Sequence, residues 1–180
     1  AAANSTTGGI DIENTGDLLV QTVSGKIGID QDAPGARVNV IVHGSLTVDR
    51  PVSSAGGDIN LEADGNVTLN VLGDVTSNNG NVTVIADRDG TGGAGAGAIL
   101  MQDSGADSAT INAGSGTITL RATNNVTLGG LTTTNGAANA VRVTSLEDSI
   151  VDGGDTAVEI TATNPTAVVT LTAPDGIGDG

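Results

Sequence analysis

Polar and apolar residues alternate along almost the whole chain, in short segments separated by glycine, asparagine and aspartate. Most segments have the form Gly-polar-apolar-polar-apolar, and they lie at residues 9–14, 16–22, 25–30, 36–42, 44–48, 57–63, 65–70, 80–86, 116–122, 125–128, 140–144, 158–162 and 168–172. A period of two residues is typical of a β-strand that buries one face, and the separating residues are typical of turns. The pattern therefore predicts an all-β chain of short strands.

The interval between equivalent strands is nearly constant. Equivalent segments begin at Gly57 and Gly80, and again at Gly116 and Ala140, which gives a period of about 23 residues. Because each period holds about three strands, we expect a parallel β-helix, or β-solenoid, of roughly seven to eight stacked turns. An antiparallel β-sandwich is the alternative, but sandwiches have longer strands and rarely repeat at one turn length.

One stretch, residues 137–151, has apolar spacing that also fits a helix, through Val143, Leu146 and Ile150. Its β-branched residues and its flanking glycine and asparagine favour strands instead. We therefore expect strands throughout.

Residues 86–109 interrupt the period. The Gly/Ala-rich segment at residues 87–98 (DRDGTGGAGAGA) carries the next aligned strand about 36 residues beyond the preceding one. We interpret this segment as a loop that protrudes from one continuous module spanning residues 1–180. A flexible linker between two half-modules is the alternative.

The core of this protein has to be built without aromatic residues. The chain has 180 residues, with no Phe, Tyr, Trp or Cys and a single Met. Aromatic rings normally supply much of the buried area of a compact globular core. Aliphatic side chains and Thr methyl groups fill a narrow stack of strands more readily than a round core, so the composition supports the solenoid.

The chain is strongly acidic, with 21 acidic and 6 basic residues and a formal net charge of −15. This charge repels nucleic acid and anionic membrane surfaces. No segment approaches the roughly 20 consecutive apolar residues of a membrane-spanning helix. We therefore expect neither nucleic-acid binding nor membrane insertion, and we interpret the acidity chiefly as a means of keeping a strand-rich surface soluble.

Three segments carry a resemblance to a known family: residues 57–69 (GDINLEADGNVTL), 152–162 (DGGDTAVEITA) and 169–178 (VTLTAPDGIG). They resemble the repeats of giant bacterial surface proteins related to filamentous haemagglutinin. The resemblance implies a right-handed parallel β-helix that is exported to the cell surface and serves in adhesion, aggregation or fibre building. It also implies self-association along a fibre, contact with cell-surface or matrix ligands, and no catalytic residues.

The two ends of the chain continue the same pattern when they are read head to tail. The final residues (TLTAPDGIGDG) lead into the first ones (AAANSTTGGIDI) as one more turn followed by a strand. Neither end has the polar cap that a free-standing solenoid needs. We expect the chain to be one unit of a longer tandem array.

Calcium is the one cofactor that the acidic turns suggest. Ca²⁺ takes six to eight oxygen ligands, which carboxylates and turn carbonyls supply. The candidate ligands are Asp87, Asp89, Asp152, Asp155, Asp175 and Asp179. Plain Asp-Gly turns are the alternative interpretation, because the repeated Gly-Gly-x-Gly-x-Asp pattern is missing and position 98 is Ala, where a calcium loop has its bidentate acid.

A catalytic role is not expected. Carboxylate pairs could serve glycoside hydrolysis, but the chain has no aromatic residue to hold a sugar and few basic ones to steer an anionic polymer. Ser-His-Asp chemistry would have to use His43, the single histidine, which we interpret as a structural residue facing solvent or a turn.

The function expected from the sequence is that of a structural or adhesive repeat module of an extracellular surface fibre. Two alternatives stay open. One is a calcium-dependent surface binding module, or a module whose loop at residues 87–98 contacts a partner. The other is a sandwich-type subunit of a non-covalent filament that is assembled by strand exchange.

Overall fold

The chain winds into a parallel β-helix whose three walls are β-sheets. The computed structural model describes residues 1–91, 97–105, 107–154 and 157–178, and within these ranges its regular structure consists of strands alone. Each of the three sheets contains seven strands, one from every turn, so the predicted solenoid is confirmed with seven turns. Within the same ranges there is no helix long and apolar enough to cross a membrane.

Strands are numbered along the chain, and each turn passes through sheet 1, sheet 2 and sheet 3 in that order. Sheet 1 contains β1 (Ala3–Ser5), β6 (Ile29–Gln31), β9 (Val52–Ser54), β12 (Val75–Ser77), β15 (Thr110–Asn112), β18 (Gly130–Thr133) and β21 (Ile160–Ala162). Sheet 2 contains β2 (Ile10–Asn14), β7 (Val38–Val42), β10 (Ile59–Ala63), β13 (Val82–Ala86), β16 (Ile118–Ala122), β19 (Val141–Ser145) and β22 (Val169–Thr172). Sheet 3 contains β3 (Leu18–Val20), β8 (Leu46–Val48), β11 (Val67–Leu69), β14 (Ile99–Met101), β17 (Val126–Leu128), β20 (Ile150–Asp152) and β23 (Ile177–Gly178).

Neighbouring turns stack in register, so that similar residues lie over one another. Leu61 of β10 pairs with Val40 of β7 on one side and with Val84 of β13 on the other, and all three side chains are fully buried. Burying one such side chain contributes about 1.5–3 kcal/mol. Because three sheets enclose a narrow interior, each inward side chain packs mainly against its equivalents one turn away. Aliphatic columns therefore form most of the core, and no aromatic ring is needed.

Buried hydroxyl groups line one corner of the interior, where sheet 1 leads into sheet 2. Ser54 and Ser77 are buried, and their hydroxyls donate to the carbonyl oxygens of Ala36 (3.1 Å) and Gly57 (2.9 Å). Thr133 donates in the same way to the Gly116 carbonyl at 2.6 Å. Burying a polar group is costly unless it is hydrogen-bonded, so this corner accommodates serine and threonine because turn carbonyls point towards them.

The fourth turn is longer than the others because it carries two insertions. Residues 87–98 connect β13 to β14, and residues 102–109 connect β14 to β15, with an antiparallel bridge between Asp103 and Ser108. The sequence predicted only the first insertion. Its residues 92–96 lie outside the described residues, so protrusion of the loop at residues 87–98 stays a prediction.

The first turn also departs from the predicted strands. Segments 16–22 and 25–30 were each expected to be one strand, which is wrong, because β4 (Thr22–Val23) and β5 (Lys26–Ile27) form an antiparallel hairpin between sheets 3 and 1. Ser24 and Gly25 at the hairpin tip have φ angles of 50° and 81°, as expected for a tight two-residue hairpin turn. In residues 137–151 the expected strands are confirmed as β19 and β20.

Candidate functional site

Both ends of the solenoid present strand edges whose backbone groups have no neighbouring strand in the described part of the chain. At one end, the lower end, these edges belong to β1, β2 and β3; at the other, the upper end, they belong to β21, β22 and β23. Ala1 already contacts the lower edge of β3, where its amino group donates to the Leu19 carbonyl oxygen and its own carbonyl oxygen accepts from the Gln21 N–H at 2.9 Å. All pairings between turns are parallel, so the strands at the two ends run in the same direction. Open strand edges are templates for pairing with further strands.

The upper end also exposes the aliphatic interior. Val158 is 72% exposed and Ile177 is 54% exposed, whereas the inward side chains of the middle turns are fully buried. An open cavity of about 340 Å³ lies here, and its apolar lining includes Leu128, Ile150, Val158, Ile160, Leu171 and Ile177. The columns of the core therefore reach the surface at this end, where one more turn would cover them.

The lower end exposes part of the aliphatic interior. Ile12 and Leu18 are only partly buried, although their equivalents one turn higher, Val40 and Leu46, are fully buried. Val20 of the same turn is fully buried and Ile10 is 7% exposed. The lower turn is thus open at Ile12 and Leu18 and closed at Val20, whereas the described part of the last turn buries none of its aliphatic side chains.

Corner side chains tie successive turns together outside the core. At the corner between sheets 2 and 3, Asp17 Oδ1 accepts a hydrogen bond from the backbone N–H of Ser45 at 2.8 Å. Ser45 Oγ accepts from the N–H of Asn66 at 3.2 Å, and Asn66 Oδ1 accepts from the N–H of Ala98 at 2.9 Å. Each oxygen satisfies a turn N–H one level away. From the sequence these residues were expected to form local turns only, and the connection between turns was not predicted.

His43 lies just after β7, in a polar cluster that spans several turns. Its Nδ1 is 2.9 Å from Asp64 Oδ2, and its Nε2 is 3.0 Å from Glu13 Oε1. Arg88 completes the cluster, with its guanidinium 2.8 Å from Asp64 Oδ1. The hydrogen bonds with Glu13 and then with Asp64 raise the pKa of His43 above its ordinary value, because carboxylates favour the protonated ring.

His43 links successive turns of the solenoid through its two ring nitrogens. Both ring nitrogens contact carboxylates, so a protonated imidazole donates two hydrogen bonds and links turns one, two and three, to which Arg88 adds turn four. The sequence identified His43 but missed its partners. The available signal was the register. Ala63 pairs with Val42 in the neighbouring turn, so the residues that follow them, Asp64 and His43, lie side by side.

The calcium candidates among the described residues lie in three different turns. Asp87 is buried, and its Oδ2 accepts from the Thr123 hydroxyl at 2.5 Å. Asp89 accepts from Thr91, with 2.9 Å between Oδ2 and the Thr91 hydroxyl. Asp152 ends β20 and accepts from the Gly154 N–H at 3.1 Å.

The remaining candidates are Asp155, Asp175 and Asp179. Asp175 lies in the exposed turn before β23, and Asp155 and Asp179 lie outside the described residues. In the described ranges no group of three or more His, Cys, Asp and Glu side chains is arranged to hold a metal ion. Calcium binding therefore stays a prediction.

Comparisons of the chain with protein-family models, with curated proteins and with solved structures found no match. The class of the protein is therefore assigned from its sheets and its core alone. It is a parallel β-solenoid of seven turns with an aliphatic core and open ends.

Proposed function

We propose that this protein is a structural module of an extracellular fibre, in which the solenoid continues from one unit to the next. The observation that carries the proposal is the pair of open ends. Three parallel strand edges at the upper end have the same order and direction as three edges at the lower end. A following unit can therefore add β1 to β21, β2 to β22 and β3 to β23 without reversing the chain.

The physical gain from such stacking is local and additive. Each junction completes backbone ladders on three sheets and covers aliphatic side chains such as Leu171 and Ile177, which are open to solvent in the single unit. Stability in a stack of this kind is the sum of each turn and its contacts with its neighbours. A long array of units is thus more stable than one unit and behaves as a stiff rod.

The setting that we propose is the cell surface. The net charge of −15 keeps such a rod soluble and suppresses unspecific association. The resemblance of residues 57–69 to repeats of surface proteins related to filamentous haemagglutinin supports the same setting and a part in adhesion. We propose a mechanical role, to span distance and present a repetitive face, and no catalysis.

Two copies joined in tandem test this function. Seven turns at about 4.8 Å per turn extend about 34 Å, so two continuous units form a single rod of about 67 Å, which small-angle X-ray scattering and cryo-electron microscopy measure. We expect one straight rod and one cooperative unfolding transition. Two units with variable mutual orientation, each as stable as the single copy, would overturn the proposal.

A matched variant isolates the junction in the tandem protein. Ile177→Asp in the first copy places a charge where the second copy stacks, whereas the same change in the second copy faces solvent. We expect the first variant to bend or separate the rod and the second to leave it straight. Repeating both measurements with a calcium chelator shows whether calcium contributes to the junction.

A further inference from the structure

The outward face of sheet 2, whose strands have four or five residues against two to four in the other two large sheets, carries two rows of side chains. The first row contains Asp11, Asn39, Asn60, Thr83, Thr119, Arg142 and Thr170, one from each turn. The second row contains Glu13, Ile41, Glu62, Ile85, Arg121, Thr144 and Thr172. Their residue types change systematically from the lower end to the upper end.

Charge is divided along this face. Acidic residues lie only in the lower turns, and both arginines lie in the fifth and sixth turns. Asp11 and Glu13 already contact Arg37 and His43. Among the described residues, Glu62, Arg121 and Arg142 form no ion pair, so the face has one free acid below its centre and two free arginines above it.

The free charges are placed symmetrically about the middle of the face. Ile85 lies in the fourth of the seven turns, between Glu62 on one side and Arg121 on the other. Consider a two-fold axis that runs parallel to β13 and lies just outside the face, over the side chain of Ile85. A half-turn rotation about this axis exchanges the third turn with the fifth. It therefore brings Glu62 opposite Arg121 of a second copy, and brings Ile85 opposite the same residue of that copy.

We propose that a second copy of this chain docks on the outward face of sheet 2, with its solenoid axis antiparallel to that of the first. The contact is isologous, so that each Glu62–Arg121 pair occurs twice. Arg142 then faces Asn39 of the second copy, and no two like charges are opposed. The contact gives the surface fibre a route to lateral pairing.

The size of this face indicates a weak contact. Five residues per strand and seven stacked strands cover about 500 Å² per copy, so the buried area of about 1,000 Å² in total is at the lower limit of specific interfaces. We therefore expect association at high protein concentration, or between fibres in which many units pair at once. This contact uses different residues from the end-to-end junction, so either can fail alone.

Charge reversal distinguishes loss of the proposed pairing from a general loss of structure, because two variants with complementary charges should associate with each other. Glu62→Arg alone and Arg121→Glu alone each oppose like charges, and we expect the dimer in sedimentation equilibrium to weaken by about tenfold or more. A mixture of the two variants restores both opposite pairs, so the variants should associate with each other although neither associates with itself. Arg50→Glu and Asp107→Arg are matched controls away from this face and should leave self-association unchanged.

Cross-linking provides a second measurement that does not depend on charge. The chain has no cysteine, so Ile85→Cys introduces a single thiol at the proposed two-fold axis. Packed sheets lie about 10 Å apart, and a bismaleimide of that span should join two Ile85→Cys chains. Ile41→Cys is the control, because its thiols would lie four turns apart, and it should not cross-link.

Three results would each overturn the proposal. They are a wild-type chain that stays monomeric up to millimolar concentration, a mixture of the two charge variants that does not associate, and equal cross-linking of both cysteine variants.

Discussion

Asp58 of one turn accepts a hydrogen bond from the backbone N–H of Asn81 in the next turn, with 2.8 Å between Oδ1 and the nitrogen. Asn81 repeats the arrangement one turn higher, since its Oδ1 accepts from the N–H of Thr117 at 3.0 Å and from the Thr117 hydroxyl at 2.9 Å. A column of corner side chains thus runs parallel to the core. It gives the many asparagine and aspartate residues a structural role that requires no metal ion.

Replacing Asn81 with alanine tests this column. Asn81→Ala removes two hydrogen bonds to Thr117, and each is worth about 0.5–1.5 kcal/mol. We expect the free energy of unfolding in urea to fall by about 1–3 kcal/mol. Asn60→Ala is the control on the outward face of β10, where we expect a change within about 0.5 kcal/mol. Equal effects of the two substitutions would contradict the proposed role of the corner column.

The cluster around His43 predicts a dependence of stability on pH. Glu13 and then Asp64 raise the pKa of His43 in the folded chain above the unfolded value of 6.5. The stabilisation from protonated His43 is therefore fully present below pH 6.5 and is lost as the pH rises through the raised pKa. Urea unfolding across this range should show stability decreasing with pH, and NMR titration of the ring should locate the pKa.

The control for this prediction is His43→Gln, which keeps a polar side chain but cannot be protonated. We expect this variant to lose the pH dependence in the neutral range. Glu13→Gln should bring the pKa of His43 closer to its ordinary value, because Glu13 contributes the largest favourable contact. A wild-type titration at or below the ordinary histidine pKa would contradict the geometry of the cluster.

Some of the glycines that open the repeated segments are required by the close approach of adjacent turns. A Cβ atom on Gly80 would collide with the Gly57 carbonyl oxygen of the turn below, and one on Gly116 would collide with the Gly80 carbonyl oxygen. Gly80→Ala should therefore destabilise the chain by about 1–3 kcal/mol or more, since the backbone cannot give way as a side chain can. Gly16→Ala is the control, because nothing lies within 4 Å of its added Cβ, and thermal unfolding should separate the two variants clearly.

The sequence predicted the parts of this fold that depend on local pattern. Strands such as β10 and β13 follow from alternation, and their stacking follows from the period that separates Gly57 from Gly80. The hairpin of β4 and β5 was missed because its strands have only two residues each and carry no alternation. The insertion at residues 102–109 was missed because the longer loop before it accounted for the break in period.

The candidate surfaces were harder to predict, because they depend on which residues of different turns lie side by side. Glu62 and Arg121 belong to turns three and five, and only the register through Ile85 places them about one common centre. The same holds for His43 and Asp64, which are separated by 21 residues. The lengths of the intervening turns decide which residues become neighbours. The fourth turn is longer than the mean period, so the period does not predict the neighbours across it. Alternation alone therefore identifies inward and outward residues but not their neighbours.

The cost of truncating a core leucine should depend on its position along the solenoid. Leu61 is fully buried in the third turn, so Leu61→Ala should lower the free energy of unfolding by about 2–5 kcal/mol. Leu171 lies in the last turn and is only partly buried, so Leu171→Ala in the single copy should cost about 1 kcal/mol or less. If the solenoid continues between units, Leu171→Ala in the first copy of the tandem protein should approach the cost of Leu61→Ala, because the next turn then covers it. A cost that stays the same in the single and tandem proteins would show that the end of the stack is not continued, and urea unfolding of the two variants in both proteins distinguishes these results.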